Sequence, residues 1–134
     1  MSTAALKRPL HPLGFKTDGL PFRQLAALVE AMTTVSQVLS GLQEQPRFSA
    51  EGSEPYNQAG DILETLRNNI GCEIDDMCDE AAQRHVSSED EGEYKFGILI
   101  GRYTGGCDKP GAAVSELAAI AAGISADLRK VGAK

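Results

Sequence analysis

A chain of 134 residues that is 42% hydrophobic and 24% charged has enough apolar side chains for one core and too many for a disordered working state. Its formal charge of −6 repels a phosphate backbone, and without a compensating lysine and arginine stripe the sequence points away from nucleic acid. Three cysteines at irregular spacing close no disulfide framework. No leader-like segment or bilayer-length apolar run is read from the chain, so a cytoplasmic protein with no membrane partner is expected.

Aromatic residues are scarce: no Trp, four Phe and three Tyr. The core must then come from Leu, Ile, Val, Met and Ala, which suit close helix contacts better than a β-sandwich. Residues 1–19 mix Lys7, Arg8, Pro9, His11, Pro12, Gly14 and Lys16 without a period, and read as an extended, partly disordered basic arm. Residues 20–134 read as a single helical domain.

The first helix is expected near Leu20, with Asp18 as its cap and Pro21 in its first turn. Phe22, Leu25, Val29, Met32, Ser36 and Leu39 recur at three- and four-residue steps, and Leu28 and Val35 widen that stripe until Gly41 and Pro46 stop it. Residues 45–54 form a polar loop that reverses the chain. Ser53 or Glu54 ahead of Pro55 then starts a long second helix running to His85, with Gly60 and Gly71 as expected bend points. Its core stripe is Leu63, Leu66, Ile70, Ile74, Met77 and Ala81, with Cys72, Asp76 and Asp79 on the opposite face.

Residues 87–103 fit two templates, because Tyr94, Phe96, Ile98 and Ile100 alternate like a strand while Phe96, Leu99, Ile100 and Tyr103 match a helix. Ser88 and Glu91 form a capping box, acids fill the first turn, and no second strand offers a pairing partner, so a helix is favoured. A strand over 94–100 is the alternative and would make the chain α+β. In the helical reading, Gly97 and Gly101 form a smooth patch for close helix approach. Residues 104–111 are a glycine-rich turn with Asp108 as the cap ahead of Pro110. The last helix presents Val114, Leu117, Ala121, Ile124, Leu128 and Val131 to the core, with Arg129 and Lys130 at the negative end of its dipole.

Chemistry-bearing residues are few. Cys72, Asp76 and Asp79 share one helical face and are the metal-ligand candidates, although three ligands on one exposed helix make an open, weak site. Cys78 and His85 are two turns apart, about 10.5 Å along the axis, too far for a nucleophile and its base. His85 reads as a helix-end residue instead. Gly101, Gly105, Gly106 and Gly111 lack the Lys-Ser or Lys-Thr of a phosphate loop. No cofactor is expected.

These patterns predict an all-α antiparallel bundle of about four helices with a long central second helix. The expected function is a non-enzymatic interaction or regulatory module, dimeric because its broad apolar faces exceed what one small chain covers. An acidic belt including Glu73, Asp76, Asp79, Glu80, Glu89 and Asp90 is the expected partner surface, suited to a basic protein. The rival reading is a small metal-binding protein or enzyme. Its site would lie between the second helix and the Gly101–Gly111 turn, using Cys72, Asp76, Asp79 or His85.

Overall fold

The computed structural model describes residues 13–52, 54–104 and 110–133. Four helices carry the chain: α1 (Phe22–Gln43), α2 (Gln58–Gln83), α3 (Glu89–Thr104) and α4 (Pro110–Gly132). A single 3-10 turn spans Pro46–Phe48, and among the described residues the β pairing is an isolated bridge between Ser49 and Tyr56. The fold is all-α, as the periodicities predict, and α2 is the longest element at 26 residues. Most of the arm, the glycine-rich turn at 105–109 with Cys107 and Asp108, and the candidate cap Ser53 lie outside the described residues.

The contacts gather into two compact units where the sequence suggests one domain. One holds residues 13–16 and 31–76, the other residues 17–30 and 77–133, so α1 and α2 each give one part to each unit. In the first unit the second half of α1 and the first part of α2 run antiparallel. Gln43 Nε2 donates to the Gly60 carbonyl at 3.2 Å, and further along Arg67 donates to Ser40 Oγ at 3.1 Å. Met32, Gln43, Ile70 and Glu73 are its buried side chains.

The loop joining these helices is built from its own polar groups. Asn57 Oδ1 accepts the Gly60 N–H at 2.9 Å, Asn57 Nδ2 donates to the Arg47 carbonyl, and the Asn57 N–H reaches the Phe48 carbonyl. Asn57 is therefore the cap of α2, and the helix starts later than Ser53 or Glu54 would have it. The bridge to Ser49 holds Tyr56 outside the helix. Gly60 sits in the first turn of α2, where its role is steric. A Cβ there would sit 2.8 Å from the Phe48 carbonyl oxygen and 2.8 Å from the Tyr56 Cβ.

In the second unit Phe22 and Leu25 of α1, Met77, Cys78 and Ala81 of α2, Val86 in the connection to α3, Ile98 and Leu99 of α3, and Ala113 of α4 are buried. Arg84 ties the entrance of α1 to α2: its guanidinium donates to the carbonyls of Thr17 and Leu20 and to the Glu80 carboxylate, and lies 5.6 Å from the Phe22 ring centre. Residues 94–100 are helical. Ser88 Oγ accepts the Glu91 N–H at 3.2 Å and the Glu91 carboxylate accepts from the Ser87 N–H and hydroxyl, so the capping box forms with its return bond shifted by one residue. Buried Gly92, Lys95, Ile98 and Leu99 follow a helical period, while Tyr94 and Ile100 of the apparent strand alternation are exposed.

Three expectations about packing faces change. Gly97 and Gly101 meet open space rather than a neighbouring helix. Gly92 makes the close approach instead, since a Cβ there would lie 2.8 Å from Ile124 Cγ2. On α4, Val114 is 66% exposed and Val131 is exposed as well, and the positions buried in their place are Ala113 and Asp127. The apolar stripe of α2 holds for Ile70, Met77 and Ala81, leaves Leu63 and Ile74 half-buried, and turns Leu66 outward.

Candidate functional site

The acidic residues divide once their surroundings are seen. Glu73 is 1% exposed and its Oε1 accepts the Leu13 N–H at 3.0 Å, so this carboxylate anchors the incoming chain inside the first unit instead of facing a partner. Glu80 is half-buried, held by Arg84 and by the Thr17 hydroxyl at 2.9 Å. Asp79 is engaged by Arg102 of α3 at 2.6 Å. Asp76 is half-buried. Glu89 and Asp90 remain exposed in the first turn of α3, where the helix dipole favours negative charge.

Cys72, Asp76 and Asp79 stay one to two turns apart along α2, and among the described residues no three His, Cys, Asp or Glu side chains gather as a metal site would require. Cys72 lines a groove of about 720 Å³ in the first unit, together with Ser36, Gln37, Ser40, Arg67, Asn68 and Asp75 among others. Cys78 is buried, and neither Cys72 nor Cys78 forms a disulfide among the described residues.

Sequence reasoning missed a polar cluster where α2 hands over to α3. Asp127, which the α4 stripe passes over, is buried, and its Oδ2 accepts the Val86 N–H at 3.0 Å. Its Oδ1 lies 2.9 Å from His85 Nδ1, which must carry the proton because a carboxylate only accepts. The Val86 amide first, and His85 second, hold the Asp127 carboxyl below its ordinary range. Lys95 is buried alongside, donating to the Arg84 carbonyl at 2.6 Å at the end of α2, and burial pushes its ammonium down while the charge of Asp127 pulls it up. His85 lies at a shallow hollow of about 270 Å³ shared with Val86, Asp127, Lys130 and Val131. The polar contacts described in this cluster clamp α3 and α4 to the connection that leaves α2.

The surface with the properties of a docking site lies between α3 and α4. Val86 to Asp127 and Gly92 to Ile124 place the start of α3 beside the end of α4, so the two helices run antiparallel. Between them is a cleft of about 440 Å³ with Phe96, Ile124 and Leu128 half-buried along it, and Ala121 and Ser125 at its edge. Glu89 and Glu93, one turn apart and both exposed, form the α3 rim. Gly92 between them lets α4 approach, which is how an apolar floor comes to lie directly beside two carboxylates.

Two helices, Phe22–Gln43 and Gly111–Gly132, are long and apolar enough to cross a membrane by length and composition alone, which the sequence reading did not anticipate. Each carries ionisable residues within that span, Arg23 and Glu30 in α1 and Glu116, Asp127, Arg129 and Lys130 in α4. Comparisons with protein-family models, curated proteins and solved structures find no match to this chain.

Proposed function

We propose that the chain is a non-catalytic, dimeric helical interaction module of the cytoplasm, and that its partner is a cationic amphipathic segment seated in the α3–α4 cleft. One observation carries the reading: apolar Phe96, Ile124 and Leu128 lie beside the exposed pair Glu89 and Glu93. A groove of that kind takes the apolar side chains of a helix or extended peptide, while the rim acids select lysine or arginine next to them. The acidic partner surface thereby narrows to Glu89, Asp90 and Glu93 at the head of α3. Glu73, Asp79 and Glu80 of the wider belt serve internal contacts. Cys72 and Cys78, in no disulfide among the described residues, suit a reducing compartment.

Fluorescence anisotropy with a labelled leucine/lysine amphipathic peptide tests this, with its leucine/glutamate counterpart as control. The lysine peptide is expected to bind, and the double substitution Glu89→Lys, Glu93→Lys to weaken it about tenfold. Equal binding of both peptides, or an unchanged affinity after charge reversal, would contradict the reading.

A further inference from the structure

The first unit has a face that none of its described elements covers. α1 and α2 supply two helices there, and two helices side by side enclose no core: each buries one stripe against the other and leaves both flanks to be satisfied elsewhere. The flanks differ. Gln37 and Ser40 of α1 share a groove with Arg67, Asn68, Cys72 and Asp75 of α2, so hydrogen-bonding and charged side chains line one side of the hairpin. On the other side Val35 and Val38 of α1 are 48% and 57% exposed, and Ile62 and Leu66 of α2 are 65% and 40% exposed.

Three properties say what covers this apolar side. Ala31, Val35, Val38 and Leu42 follow each other at steps of four, three and four, the spacing of a coiled-coil seam. That seam lies beside the buried Met32 and Gln43 line rather than on it. From Ala31 to Gln43 the helix has no charged residue, so in a chain with formal charge −6 the α1 half of this surface brings no charge against its own copy. The exposed apolar side chains amount to roughly 400 Å², about half of the ~800 Å² each partner buries in a standard interface, which is near the apolar share such interfaces carry.

We infer that this face is the dimer interface: a second copy of the chain packs its own α1–α2 hairpin against it about a two-fold axis, and the two hairpins close a four-helix bundle. A self-complementary surface is what an isologous contact requires. The inference rests on the association reading above only for the dimeric state, and it uses a different surface from the α3–α4 cleft.

The test is the mass of the full chain in solution by light scattering, over a range of concentrations. Wild type is expected at twice 14.2 kDa. Val38→Glu and Ile62→Glu, both at well-exposed positions that the lone chain can leave in water, are each expected at 14.2 kDa with helical circular dichroism retained. Val114→Glu, equally exposed on α4, is expected to leave the dimer intact. A monomeric wild type, a dimer that survives both hairpin substitutions, or one that Val114→Glu dissociates would overturn the inference. Deleting residues 1–12 separates the main competitor, because the chain enters this unit at the Leu13 contact to Glu73. Monomeric wild type that dimerises on truncation would assign the face to the arm. If a glutamate variant fails to fold, oxidative crosslinking of Val38→Cys decides instead: a covalent dimer absent from Gly97→Cys supports the interface, and its absence overturns it. Peptide binding by the monomeric variants shows separately whether the cleft works, so either reading can fail alone.

Discussion

Asp127 of α4 is a buried tie within the second unit. Its two oxygens fix the Val86 amide and the His85 ring where the chain leaves α2, and its folded pKa is depressed for that reason, the amide contributing most. A depressed carboxyl adds stability at pH above its unfolded value, near 4, and that addition is lost as pH falls through the lower folded value. In thermal melts Asp127→Asn is expected to be less stable than wild type at pH 7, and the gap is expected to narrow as pH falls below the ordinary carboxylate range. A gap that persists unchanged at acid pH would assign the effect to packing alone. Gly60 is the steric counterpart. Alanine there gains up to about 1 kcal/mol of helix propensity. Its Cβ meets a backbone oxygen and the Tyr56 Cβ at 2.8 Å, contacts that cannot swing away. Gly60→Ala is therefore expected to lower stability by about 1–3 kcal/mol in denaturant melts, and a stabilised variant would refute the close approach.

The helices were legible in the sequence because each repeats apolar residues at helical spacing over several turns, and that signal survives local irregularity. Phe22, Leu25 and Met32 in α1 and Ile70, Met77 and Ala81 in α2 are buried as their period requires. The strand-like alternation of 94–100 misleads only until Ser88 and Glu91 are weighed, since a capped, acid-rich first turn is worth more than a four-residue alternation. Which faces pack was less legible. Period alone cannot distinguish a buried valine from one on a second, exposed stripe, as Val35 and Val114 show. Nor does it reveal that Asp127 is buried, because its partners are a histidine forty-two residues away and a backbone amide that leaves no sequence mark. Of the site, Glu89 and Asp90 were readable from charge, while the apolar cleft beside Glu93 emerges only once Gly92 brings α4 to α3. Gly97 faces open space instead of a helix, so Gly97→Ala is expected to raise stability by about 0.5–1 kcal/mol through propensity. Destabilisation in the same melts would show that this face of α3 is covered.

For the whole molecule, two surfaces of opposite kind follow from one cause: four helices in so short a chain leave apolar faces over. The hairpin face is uncharged from Ala31 to Gln43 and suits a copy of itself, whereas the α3–α4 cleft is rimmed by Glu89 and Glu93 and suits a cation. The acids that stand between these readings, Glu73, Asp79 and Glu80, are engaged internally, which separates the charge that keeps the fold from the charge left exposed at the head of α3. Sedimentation velocity of the wild-type chain with the labelled leucine/lysine peptide reads both surfaces at once. The account expects one boundary with the mass of two chains carrying two peptides, and a chain that sediments as a peptide-free monomer would contradict it.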